Sequence, residues 1–173
     1  MTNDNGTLEL DIRPSRVEDR EAIHGVLTNS GLFGKEDADV VDEMFGDTWN
    51  NDVDAPDNCR WLSCRHDGRL VGFACFGPES LTRDTWDLYW ICVAPEVRGK
   101  GAGRALMTEA ERRARDANGR VMVIYTSSTE KYAAARRLYT GAGFVLAAVV
   151  PDYYDDGDDL NVYWKRLTPR SAA

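Results

Sequence analysis

Apolar residues recur along this chain with two periods, and each change of period marks a new element. Leu8 to Arg13 alternates apolar and polar side chains, as a half-buried strand does, and Pro14 then stops the ladder because it has no N–H to donate. Ser15 and Glu18 follow at capping-box spacing. They predict a first helix with Val17, Ile23, Val26 and Leu27 on its apolar side and an end near Asn29 to Gly31. Val40, Val41, Met44 and Phe45 repeat at helical spacing and predict a second helix over Lys35 to Trp49. Asn50 to Asn58 is polar, contains Pro56 and reads as a loop inside one domain. Trp61 to Arg65 and Leu70 to Phe76 are predicted strands joined through His66-Asp67-Gly68-Arg69, where Asp-Gly supplies the positive-φ residues of a tight hairpin. His66 is accordingly a turn residue.

Trp86 to Val93 is almost wholly apolar after Asp87 and predicts a further strand, which leads through Ala94-Pro95-Glu96-Val97 into a glycine-rich turn. The helix expected from about Gly103 to Asn118 sets Ala105, Leu106, Ala110 and Ala114 on one face, with Glu109, Glu111, Arg112, Arg113 and Arg115 expected in solvent. Val121 to Thr126 is a predicted buried strand, Glu130 to Ala142 a helix, and Phe144 to Val150 and Asn161 to Arg166 the last two strands. The order is strand, two helices, three strands, helix, strand, helix, two strands, which mixes hairpins with crossovers. It predicts a mixed sheet of about seven strands carrying four helices over both faces, an α/β or α+β arrangement. A single domain is expected over 1–173, with its core at about 8–167 between short flexible termini.

Composition narrows the partners. A chain of 173 residues with 43% apolar residues can build one core without metal or disulfide staples. Cys59, Cys64, Cys75 and Cys92 form no CxxC pair and have only His24 and His66 as imidazole companions, so no metal is expected. Cys75 and Cys92 fall inside apolar runs and read as small buried hydrophobes. The formal charge of -8 argues against a nucleic-acid partner, which needs a basic face, and leaves open an amine-bearing partner or simple solubility. No apolar stretch approaches the ~20 residues of a membrane span, and Met1 to Gly6 is polar, so no membrane partner and a cytoplasmic location are expected.

The most specific chemistry lies in Arg98-Gly99-Lys100-Gly101-Ala102-Gly103-Arg104. Glycines let successive backbone N–H groups approach an anion, and the helix that follows adds its N-terminal partial positive charge at the same point. Two familiar phosphate motifs do not match. A nucleotide P-loop requires Gly-Lys followed by Ser or Thr, and here Gly99-Lys100 is followed by Gly101. A dinucleotide fingerprint requires glycine at position 104, which is Arg.

Arg-x-x-Gly-x-Gly after a strand ending in Val-x-Pro-Glu does match, and with it nearly the whole chain resembles the GNAT superfamily of N-acetyltransferases. Ile12-Arg13-Pro14 with Asp19 is similar to that family's opening strand and helix, and Tyr139-x-x-x-Gly143-Phe144 to its closing helix and strand. The resemblance implies acetyl-CoA as donor, a pyrophosphate site at Arg98 to Arg104, and a pantetheine arm against splayed strand backbone at Ile91, Cys92 and Val93. It implies Tyr139 as general acid. For the base, Asp87 is the carboxylate best placed by spacing, acting through water, and water alone is the alternative. Tyr132 stands where many members carry Asn, and Thr129 is expected to cap the last helix instead.

Pro151 to Asp159 is the most acidic segment and fails as a calcium loop, because Tyr154 and Tyr163 fall where oxygen ligands belong. It reads either as a plain hairpin loop closed by Gly157 or, since Tyr153-Tyr154 before acid-Gly-acid-acid is similar to the ribosomal-protein and N-terminal acetyltransferase branch, as an acceptor wall. Trp49 is expected on the opposite wall. The acceptor is then a small-molecule amine or a peptide N-terminus, the chain a monomer or homodimer. A non-catalytic CoA-binding or sensor module remains the alternative function, and a nucleotide-binding protein a third.

Overall fold

The computed structural model describes residues 8–168; the polar N-terminal segment and the termini expected to be flexible lie outside them. Its elements run β1 (Asp11–Pro14), α1 (Arg20–Thr28), α2 (Lys35–Asn50), β2 (Arg60–His66), β3 (Arg69–Pro78), β4 (Thr85–Val93), α3 (Ala102–Asp116), β5 (Val121–Ser127), α4 (Ala133–Gly141), β6 (Val145–Asp155) and β7 (Asp158–Arg166). They form a mixed seven-stranded sheet in the order β1-β2-β3-β4-β5-β7-β6, the predicted arrangement with four helices.

Each face of the sheet has its own core. On one, Leu106, Met107, Ala110 and Ala114 of α3 and Tyr139 of α4 pack on Phe76, Trp86, Met122 and Ile124. On the other, Ile23 and Leu27 of α1 and Val41 and Phe45 of α2 pack on Trp61, Phe73, Cys75 and Cys92. Double cover explains why β3 is buried without a break from Leu70 to Gly77 and shows no alternation of polar residues. The β2–β3 hairpin turns at Asp67 (φ 49°) and Gly68 (φ 77°), as Asp-Gly predicts.

Three expectations are corrected. The Ser15 hydroxyl contacts Ser63 at 2.8 Å instead of capping a helix, and the reciprocal contact at this helix start is the Arg16 N–H donating to Asp19 at 3.0 Å. Asp19 is buried and accepts from Ser63 and from Arg65, and these partners outweigh its burial to hold its carboxyl below the usual range. Glu111, expected in solvent, is buried: Lys165 donates to both its oxygens at 2.8 and 2.6 Å, and Arg115 donates at 2.6 Å. Lys165 also donates to the Ala142 carbonyl at 2.6 Å, so one ion cluster around the buried Glu111 joins α3, β7 and the end of α4. Finally, β6 runs on to Asp155, with its ladder to β7 interrupted between Val150 and Asp155, so Tyr153 and Tyr154 lie in an irregular stretch of the strand and the turn is only Asp156-Gly157.

The feature that positions the site is the way β4 leaves β5. These two strands are parallel and pair only at Thr85↔Val121, Trp86↔Met122 and Asp87↔Val123. Beyond Asp87, β4 continues paired to β3 as far as Val93↔Gly72, while β5 follows β7, so the sheet opens into a wedge. A bulge lies at the start of the wedge, where the register steps from Phe76↔Leu88 to Cys75↔Trp90 and leaves Tyr89 as the extra residue.

Candidate active site

The glycine turn closes one end of the wedge. A 3₁₀ turn at Pro95–Val97 brings the chain off β4, and Val97 is buried beneath it. Gly99 (φ 73°) and Gly101 (φ 94°) lie in the left-handed region, where a Cβ strains the backbone even though each would project into open space. Gly103 serves a different end from the one expected: a Cβ there would lie 3.2 Å from Leu138 Cδ2, so its bareness lets α4 pack against the first turn of α3. Among the described residues no acceptor takes the N–H groups of Gly99, Gly101, Ala102 or Gly103. These donors and the start of a 15-residue helix suit an anion.

The charged side chains around the turn are placed less directly than the sequence suggested. Arg98 donates through Nε to the Val93 carbonyl at 3.3 Å and through Nη2 to the Ser30 carbonyl at 2.6 Å, tying the end of α1 to the end of β4. Arg104 donates to the Gly141 carbonyl at 3.2 and 3.0 Å and fastens α3 to α4. Lys100 is exposed. Ile91 and Val93 pack toward the α3 side of the sheet, and Cys92 faces α1, its thiol buried and pushed up to about 11 by desolvation.

Tyr139 is buried on α4, with its ring 5.6 Å from that of Tyr163. Its hydroxyl has no hydrogen-bond partner among the described residues, and burial, with smaller contributions from Tyr163 and Tyr132, raises its pKa. It therefore stays protonated over any working pH. The turn before α4 departs from the capping expected: the Thr129 hydroxyl contacts Ser127 at 2.8 Å, and Arg136 holds the Ser127 and Thr129 carbonyls at 2.8 and 2.6 Å.

Asp87 stands at the other end of the wedge, in the last residue pair before β4 and β5 part. It is 5% exposed, and its Oδ1 is buried with no hydrogen-bond partner among the described residues. Burial, and then the Glu79 carboxyl beside it, raise its pKa to about 7. Tyr125 is close enough for Asp87, Glu79 and Tyr153 to raise its own pKa after burial has done so, and Tyr89 responds to Cys59, Asp87 and Glu79 in the same way. The Tyr153 and Tyr154 rings meet edge to face at 5.0 Å, both exposed. Around them the acids cap backbone groups: Asp152 accepts from the Gly157 N–H at 2.8 Å, and Asp158 from the Ser128 N–H at 3.1 Å as well as from Ser127 Oγ at 2.6 Å.

Trp49 lies on the α2 side of the sheet. It stacks on Phe45 at 4.3 Å and lines a cleft over β2 with Trp61, Arg60 and Arg113. Glu79, Tyr89 and Tyr125 were not singled out from the sequence as site residues. Glu79 follows a Pro in a polar stretch that looks like any surface loop, and only the β3–β4 register brings it to Asp87.

A wedge between two parallel strands, with a turn of open backbone amides at one end and the buried Asp87 carboxyl at the other, suits an acyl-transfer protein. Residues 26–144 match the profile of the Acetyltransferase (GNAT) family, and the chain belongs to that family. A GNAT-family protein from Desulfovibrio desulfuricans superposes with a TM-score of 0.85 at 33% identity, over 92% of this chain and 100% of that one. The yncA protein of Salmonella typhimurium, solved with its cofactor acetyl-CoA, shares the fold at a TM-score of 0.74 and 23% identity, over 95% and 98% of the two chains. The ribosomal-protein-S18-alanine N-acetyltransferase of Escherichia coli does so at 0.75 and 18%, over 94% and 97%. No match to a curated protein sequence was found. Among the described residues no helix is long and apolar enough to cross a membrane, and no group of three or more His, Cys, Asp or Glu side chains is arranged to hold a metal.

Proposed function

We propose that this protein transfers an acetyl group from acetyl-CoA to a primary amine, carried by a small molecule or a peptide N-terminus. The observation that carries this reading is the position of Asp87: a buried carboxylate with a free oxygen stands where β4 and β5 separate, and the anion cradle lies one strand-length away.

The backbone donors of Gly99 to Gly103 bind the pyrophosphate of the donor, and Lys100 adds charge from the rim. The unpaired edge of β4 at Ile91 to Val93 takes the pantetheine arm, so the thioester is held inside the wedge between the two ends. Asp87 removes a proton from the acceptor nitrogen. As the C–N bond forms and the C–S bond breaks, Tyr139 donates its phenolic proton to the departing sulfur. Burial keeps the phenol protonated in the resting site, and the proton it gives to the sulfur is made good by the one that leaves the nitrogen as the C–N bond forms. Tyr153 and Tyr154 form the acceptor side of the mouth.

The test is an acetylation screen over a panel of amines, read by release of free thiol and paired with titration of acetyl-CoA by calorimetry. Binding with turnover on at least one amine is expected. Binding without acetyl consumption across the panel assigns the chain to a CoA-sensing role instead.

A further inference from the structure

A second carboxyl group shares the acceptor end. The Glu79 N–H donates to the Thr85 carbonyl at 2.8 Å, which extends the β3–β4 ladder one step past Pro78. Gly77 pairs with Asp87, and two residues along a strand return to the same face, so Glu79 and Asp87 are diagonal neighbours on one side of the sheet. The Glu79 carboxyl lies near enough to add to the upward push that burial gives Asp87. Two neighbouring carboxylates repel when both are ionised, and one proton held between them removes that repulsion. Tyr89 on β4 and Tyr125 on β5 lie within electrostatic reach of both carboxyls, with Cys59 and Cys75 acting on Tyr89 and Tyr153 on Tyr125. None is a cation, and no Arg, Lys or His counts among the charges that act on Asp87. Asp87 is nearly closed off, whereas Glu79 is only half-buried and reaches solvent.

We propose that Glu79 and Asp87 work as one proton-sharing pair that receives the acceptor as a primary alkylammonium ion and passes its proton to water through Glu79. The proposal rests on the acetyltransferase reading above and adds Glu79 and the charge state of the substrate to it. At the start the pair carries one proton and one negative charge, which the ammonium neutralises among tyrosine rings that favour a cation. One N–H proton moves to the free carboxylate oxygen, leaving a neutral amine and a neutral pair, and Glu79 returns a proton to solvent. The nitrogen then bonds to the thioester carbon as the C–S bond breaks. Its second proton replaces the one that Tyr139 gives to the sulfur. An arylamine arrives neutral and leaves the buried negative charge without a partner.

Two measurements test this, and they separate it from the parent reading. Carbon-13 NMR titration of the resting protein, without acetyl-CoA, is expected to show one carboxyl titrating near 7 that vanishes in Asp87→Asn and moves down by about one unit or more in Glu79→Gln, where the like charge is gone. The acid limb of the pH profile of kcat/KM, with butylamine as acceptor, should move by the same amount in Glu79→Gln. Glu79→Asp, which keeps the carboxyl, should leave the limb near its original position. An unchanged limb and unchanged titration in Glu79→Gln overturn the pair even when acetyl transfer is confirmed. A shifted titration with no transfer to any amine keeps the pair and removes the acetyltransferase reading. Aniline turned over as well as butylamine overturns the ammonium assignment.

Discussion

The glycine turn and the acceptor end lie at opposite ends of β4 and are built by opposite means. The turn is a run of consecutive residues whose working groups are backbone amides, and its neighbouring arginines are occupied in fastening α1 and α4 to it. The proposed acceptor end is made of side chains drawn from β4, the end of β3, β5 and β6, which meet through the β3–β4 and β4–β5 registers and the irregular stretch of β6 between Val150 and Asp155. A site made of backbone tolerates changes of side chain except where conformation itself is at stake. A site made of side chains depends on each of them and on the register that brings them together.

The sharpest way to break this comparison is Asp87→Asn. Loss of a general base costs about 10²- to 10⁴-fold in kcat/KM, and calorimetric affinity for acetyl-CoA should stay at the wild-type value. A matching loss of CoA affinity shows the two ends to be coupled. Tyr139→Phe preserves the ring packing on Tyr163 and should lower kcat by about 10²-fold with the KM for acetyl-CoA unchanged. Turnover equal to wild type removes Tyr139 from the mechanism.

At the turn, Gly101→Val forces a β-branched residue to φ 94°, at a cost of about 1–2 kcal/mol, so affinity for acetyl-CoA should weaken roughly tenfold while the acid limb of the pH profile stays in place. Asp87 also links the acceptor end to stability. Its pKa is raised in the fold from the ordinary 3.8 to about 7, so between those values the folded protein holds a proton that the unfolded chain has lost. Stability therefore falls as pH rises through this window, by about 1.4 kcal/mol per pH unit, and the contribution is gone above it. Asp87→Asn cannot ionise and should flatten that slope in thermal melts taken across the window. The smallest effect is expected for Lys100→Ala, an exposed cation, where acetyl-CoA binding should change by under about 1 kcal/mol and less at high salt.

The same contrast governs what was legible beforehand. The hairpin at Asp67-Gly68, the helix over Lys35–Asn50 and the order of all seven strands follow from local periodicity and turn chemistry. Glu111 shows where local reading stops. It sits among Arg and Glu residues on a helix that looks amphipathic, and only the arrival of Lys165 from β7 makes its burial possible. The Ser15-Glu18 pattern misled for a related reason, because Ser63, distant in sequence but adjacent across the sheet, took the hydroxyl that a cap would have used.

By itself the sequence determined the glycine turn that is proposed as the donor end, since alternating glycines before a helix need no distant residue to present their amides. It also determined the mixed sheet, whose strands and helices each announce themselves within a few residues. Only the tertiary structure decided the acceptor end. Glu79 meets Asp87 through the pairing of Gly77 with Asp87, Tyr89 is set apart by a bulge, and β4 parts from β5 just after Asp87. Register and burial are properties of elements packed together, and they turn an ordinary aspartate into a carboxyl that titrates near 7.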